Sequence, residues 1–82
     1  MEIVLSKKTA RQFSRLPKTE QAKIKKKLLF LQKNPLVGKK LEGDLETERS
    51  LRAWPYRIIY MINKTEKRIE ISDILHRQGA YK

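Results

Sequence analysis

The chain has no cysteine and a single histidine among its 82 residues. No disulfide can staple the fold, and neither a thiolate site nor a histidine-built metal centre is expected. Long hydrophobic runs are also missing: no apolar stretch approaches the ~18 residues that span a bilayer. The opening Met1-Glu2-Ile3-Val4-Leu5-Ser6 lacks the basic segment and long apolar core of a signal peptide. These absences predict a soluble, cytoplasmic protein. Acidic residues are few, nine against twenty lysines and arginines, for a net charge of +11. A field of that size on a small surface attracts polyanions and speeds their encounter. It serves nucleic acid, the ribosome or an acidic protein partner, or else only solvates the surface. No helix pairs a wide aromatic face with its basic face, so no membrane partner is expected.

What is present suits one small domain, residues 1–82, with one modest core. Glu2 to Ser6 is a short β-branched run and reads as a strand, after which the Ser6 hydroxyl can cap a helix. Ala10, Phe13 and Leu16 recur at near-helical spacing, with Lys8, Arg11 and Arg15 outside that stripe. Pro17 ends this helix and opens the next. From Lys18 to Lys33, Ile24, Leu28 and Leu31 follow i, i+4, i+7, Leu29 and Phe30 widen the stripe, and Asn34-Pro35 stops it. Leu36 to Asp44 reads as a loop, and strands are predicted over Glu46 to Ala53, Tyr56 to Ile62 and Arg68 to Leu75. The order βααβββ predicts an α+β fold, an antiparallel sheet meander with the N-terminal helical hairpin packed on one face. The opposite face is left to bind something.

The densest chemistry lies in Trp54-Pro55-Tyr56-Arg57-Ile58-Ile59-Tyr60-Met61-Ile62 and the terminal His76-Arg77-Gln78-Gly79-Ala80-Tyr81. The first run suits a strand covered on both faces, interrupted by Arg57. A guanidinium cannot stay unpaired in a core. Arg57 therefore either pairs with Glu48 or Asp73, or points into a groove. Trp54 either packs over the hairpin end or offers a stacking platform for a base. The lysines of the second helix, Lys25 and Lys26 among them, either solvate its face or track a phosphate backbone.

Three features occur in order: a basic helical hairpin ending in Asn34-Pro35, the string Leu51-Arg52-x-x-x-Tyr56-Arg57-Ile58-Ile59-Tyr60, and the terminal His76-Arg77-x-x-x-Tyr81. With Arg15-Leu16-Pro17 before the second helix and Lys40-Leu41-x-Gly43 after it, the chain resembles the RelE/ParE superfamily of toxins from toxin–antitoxin pairs over almost its whole length. The resemblance implies an acidic cognate antitoxin and one of two activities. RelE-type members cleave mRNA in the ribosomal A site without metal or cofactor, whereas ParE-type members poison DNA gyrase. It also implies site residues, Arg57 and Arg77 on the phosphate and Tyr81 on the substrate base; on the strand before Arg57 only Arg52 keeps a positive charge, with Arg49 nearby, and both are candidate RNA contacts. The RelE-type lysines that serve as base and electrostatic support fall here on Glu48 and Ser50. That departure leaves Glu48 and His76 as candidate general bases, and opens a third reading, a weakened member that only binds its antitoxin. Read from the residues alone, Tyr81 could equally dock a short tail, and His76 could bond strand-end backbone.

Overall fold

The computed structural model describes residues 1–40 and 48–76. In chain order the elements are β1 (Glu2–Leu5), α1 (Lys7–Ser14), α2 (Lys18–Lys33), β2 (Lys39–Lys40), β3 (Glu48–Ala53), β4 (Tyr56–Asn63) and β5 (Arg68–His76).

The helix boundaries follow from local chemistry. Ser6 caps α1 by accepting from the Thr9 backbone N–H at 3.0 Å, which satisfies one of the free donors of a first turn. Thr9 is fully buried, and its hydroxyl donates to the Ile71 carbonyl at 3.0 Å, so the same turn is fixed onto β5. Pro17 stands at the N-cap of α2 with φ −57°, and its carbonyl accepts from Glu20 and Gln21 at 2.9 Å each. The Gln21 amide reaches back to the Phe13 and Leu16 carbonyls, closing the end of α1 that Pro17 cuts short. Asn34 closes α2, its side-chain amide donating to the Phe30 carbonyl.

The sheet order is β1-β5-β4-β3-β2. The predicted meander is present: β3, β4 and β5 pair antiparallel. Two features lie outside that expectation. β1 adds to β5 in parallel, Ile3 beside Ile69 and Leu5 beside Ile71. Lys39–Lys40, expected as loop, forms a two-residue edge strand against Arg49 and Ser50. The sheet is therefore mixed and five-stranded.

The helices cover one face. Ile24 and Leu31 of α2 pack with Leu51, Ile58, Tyr60 and Ile69 in a fully or nearly fully buried core. Leu29 and Phe30, expected to widen the buried stripe, are 59% and 47% exposed, because α2 contributes only the sector around Ile24 and Leu31 to the sheet. Nor is β4 covered on both faces. Ile58 and Tyr60 are buried, while Arg57, Ile59 and Met61 alternate with them and are only half-buried on the other side. No described helix is long and apolar enough to cross a membrane.

Candidate functional site

The open face of the sheet carries the residue that broke the apolar run. In the β3–β4 ladder Arg52 stands directly opposite Arg57, Ser50 opposite Ile59, and Glu48 opposite Met61. On its other side Arg57 pairs with Leu75 of β5. Like charges directly opposite one another destabilise a sheet. Among the described residues neither Arg52 nor Arg57 forms an ion pair. Of the two carboxylates expected to neutralise Arg57, Asp73 is bound to Lys8 at 3.0 Å. Glu48 shares the open face but lies four residues along β3 from the Arg52 row, about 13 Å at the strand rise. Two adjacent guanidiniums thus face outward, and their fork geometry suits the oxygens of a phosphate.

Trp54 lies next to this pair, at the turn between β3 and β4, and is 58% exposed. The bond to Pro55 is cis, and the Trp54 carbonyl accepts from Lys23 of α2 at 3.2 Å. That bond ties the hairpin end to the helical layer.

The structure separates the remaining expected residues. Arg49 belongs to the opposite face of β3, where its guanidinium donates to the Gly38 carbonyl at 2.9 Å and the Leu36 carbonyl at 3.4 Å. Beside it the Tyr60 hydroxyl donates to the Pro35 carbonyl at 2.8 Å and accepts from the Gly38 N–H at 2.9 Å. Burial pushes the Tyr60 phenol above its ordinary value, and the Gly38 N–H and the Arg49 charge offset this only in part. Lys25 and Lys26 are exposed on α2, on the helical layer rather than the open face. His76 pairs with Tyr56, its ring edge-on to the tyrosine at 5.2 Å and 79°. Alternation along β5 puts it with Ile74 on the helix-covered side, away from Arg57. Arg77 and Tyr81 lie outside the described residues, as do Leu41, Gly43 and Glu46.

β5 is irregular where it passes the site. Ile59 pairs with Asp73 and Tyr60 with Ile71, leaving Ser72 as an extra residue. Bulges of this kind re-aim a strand. Gln12 of α1 holds it from both sides, donating to Asp73 at 2.7 Å and accepting from the Ile74 N–H at 2.9 Å. Partial burial alone would raise the Asp73 carboxyl. The hydrogen bonds from Gln12 and Lys8, the Lys8 charge and the Ile74 N–H outweigh it, so the carboxyl sits below its ordinary value. Among the described residues no three His, Asp or Glu side chains are grouped so as to hold a metal ion.

One group escaped the sequence reading. Lys7, Lys8, Arg11 and Arg15 line a single groove with Tyr56 and His76. Their positions on a helical wheel were the available signal.

Comparison with known proteins adds a family. A family model described as the ParE toxin of the type II toxin–antitoxin system parDE matches residues 3–81. The chain is 34% identical over 82 residues to Toxin RelE of Mycobacterium tuberculosis, covering 98% of this chain and 84% of that protein. Among solved structures, the toxin–antitoxin complex RelBE2 of the same organism superposes with a TM-score of 0.83 at 27% identity, over 93% of this chain and 96% of that one. The isolated RelE toxin of Escherichia coli gives 0.80 at 19% identity, over 92% and 82%, a likeness of fold alone.

Proposed function

The chain belongs to the RelE/ParE superfamily of type II toxin–antitoxin toxins, and from that premise we propose that it is a ribosome-dependent mRNA endoribonuclease restrained by an acidic antitoxin. The observation that carries this reading is the Arg52–Arg57 pair on the open face, which makes no ion pair among the described residues. In the proposed reaction the ribose 2′-OH attacks the adjacent phosphorus and loses its proton to a base. The bond from phosphorus to the 5′-oxygen breaks, and that oxygen is protonated as it leaves. Charge builds on the non-bridging oxygens in between, where a fixed guanidinium is most effective. Arg57 supplies that cation and Arg52 supports it. In this reading Arg77, directly after β5, adds a second phosphate contact and Tyr81 stacks on the base. Of the candidate bases, Glu48 shares the face of Arg57 at a remove of four residues along the strand, whereas His76 lies across the sheet, which favours Glu48.

The rival reading, a gyrase inhibitor without chemistry of its own, is favoured by one observation. Glu48 and Ser50 stand where RelE-type toxins carry lysines. A toeprint of translated mRNA after induction separates the two. A discrete cut in the A site is expected; intact mRNA with trapped gyrase–DNA breaks would reject the nuclease.

The antitoxin follows from the same premise, since the relative from M. tuberculosis was solved as a toxin–antitoxin complex. Leu29 and Phe30, exposed on the lysine-rich α2, offer anchors for an amphipathic acidic helix. Charge then serves mainly the rate of encounter.

A further inference from the structure

A second basic surface lies across the sheet from Arg57. The groove between α1 and the ends of β4 and β5 encloses about 610 Å³, with Leu16, Tyr56 and Ile74 on its floor and four cations along its wall. At 3.6 residues per turn, Lys7, Lys8 and Arg11 of α1 and the C-cap Arg15 fall within a sector of about 100°. Lys7, Arg11 and Arg15 follow one another at about 6 Å along the helix axis.

The N-terminal half of this stripe runs against the helix that carries it, whereas Arg11 in the last turn and Arg15 at the C-cap sit at the negative end of the dipole, which favours them. The first turn of α1 holds no acidic residue, so Lys7 and Lys8 oppose the positive end of the helix dipole. Lys7 with Arg11, and Arg11 with Arg15, are like-charge pairs at i, i+4, which weaken a helix. Lys8 is neutralised by Asp73, but among the described residues Lys7, Arg11 and Arg15 make no ion pair. A sequence that breaks several local rules at one place marks a functional surface more often than an error. The ligand must be anionic and extended along the stripe. The half-buried Tyr56 ring lines the groove, with the His76 ring edge-on to it, and the two bring aromatic surface beside the cations. Two of the four cations are guanidiniums, which bind phosphate oxygens as a fork. A row of cations beside an aromatic platform is the arrangement that holds single-stranded nucleic acid. An acidic peptide would answer the charges but leave the platform without a matching group.

We propose that this groove binds single-stranded RNA as a non-cleaving anchor, with the phosphodiester backbone along the α1 stripe and a base against Tyr56. The proposal rests on the reading of the protein as RNA-directed, but its test needs no cleavage. Binding of the purified toxin to a fluorescein-labelled oligouridylate is followed by anisotropy between 50 and 200 mM salt, conditions in which phosphate contacts dominate affinity. The triple variant K7Q/R11Q/R15Q changes exposed side chains only, and its melting curve is recorded alongside. The expected result is at least tenfold weaker binding at low salt. The slope of log K against log salt should fall by about 2, at ~0.7 for each phosphate that is no longer neutralised. Arg57→Ala should retain this component. Unchanged affinity and slope in the triple variant would overturn the proposal. So would displacement of the RNA by oligoglutamate of equal charge and equal affinity, which would make the groove a peptide site. Should the triple variant fail to fold, photocrosslinking of 4-thiouridine RNA to the native protein decides. Crosslinks at Tyr56 or His76 are expected, and crosslinks confined to the open face would reject the groove. Anchor binding that persists while the toeprint shows no cut would reject the nuclease reading and leave the anchor standing.

Discussion

Arg49 and Arg52 lie three residues apart on β3 and therefore on opposite faces of the sheet. Arg49 is held by the Leu36 and Gly38 carbonyls, beside a buried tyrosine whose hydroxyl bonds Pro35 and Gly38 of the same 35–38 segment. Its charge is answered within the fold. Arg52 faces another arginine, Arg57, and nothing described in the protein neutralises the pair. A cation that the chain surrounds with acceptors holds structure together, whereas a cation set against a second cation stabilises the protein only when an anion arrives. The difference lies in the partners, since residue type and strand are the same.

The comparison breaks most visibly at Arg57. Arg57→Ala should abolish toxicity, since losing a transition-state cation costs on the order of 3 kcal/mol or ~10²-fold in rate. Its melting temperature should hold or rise, because a like-charge contact is relieved. A folded variant that still arrests growth at matched expression would sink the assignment.

The Arg49 corner should respond in the opposite way. A methyl group at Gly38 would sit 2.7 Å from Cε1 and 2.9 Å from Cζ of Tyr60, and nearest of all to its hydroxyl. The Tyr60 ring is fully buried and cannot swing clear. Gly38→Ala should therefore destabilise by about 1–3 kcal/mol, the usual cost of overpacking. For a domain of this size that lowers the melting temperature by roughly 4–8 °C per kcal/mol. Cleavage by the folded fraction should be unchanged. Loss of activity at full stability would mean that this corner belongs to the site after all.

Much of the fold was legible because its signals are local. Ser6, Pro17 and Asn34-Pro35 mark helix ends through their own hydrogen-bonding capacity, and the β-branched runs mark β1, β4 and β5. The features that escaped depend on partners remote in sequence. Two lysines, Lys39 and Lys40, carry no periodicity, and only the neighbouring Arg49 and Ser50 make them a strand. The parallel placement of β1 is decided by the path through two helices, and the bulge at Ser72 by Gln12, some sixty residues earlier. At the site, Arg57 announced itself by interrupting an apolar run. Arg49 looked equivalent to Arg52 because a sequence does not show which carbonyls a guanidinium will meet. His76 looked close to Arg57 because chain proximity does not reveal the face, which the bulge in β5 helps to set.

That bulge joins the two sides and gives the smallest expected effect. Asp73 is held from α1 by Gln12 and Lys8 and from its own strand by the Ile74 N–H, and its carboxyl is lowered in the folded protein. An unfolded aspartate titrates near ~3.9. Its folded value is lower, so the unfolded state takes up the proton first as the solution is acidified. The stabilisation is thus complete above the unfolded value and is lost as pH falls through the folded one. The Lys8 side chain is 65% exposed, so solvent screens the pair and the contribution is modest. Urea midpoints measured from pH 6 down to pH 2.5 should fall less steeply for Asp73→Asn than for the native protein. Identical acid slopes in the two proteins would show that the Lys8–Asp73–Gln12 contacts do not hold the bulge in solution. Equal cleavage by both at neutral pH would show that the site tolerates a looser β5. Reduced cleavage by a stable Asp73→Asn would tie the open face of the sheet to the seam that α1 closes on its other side.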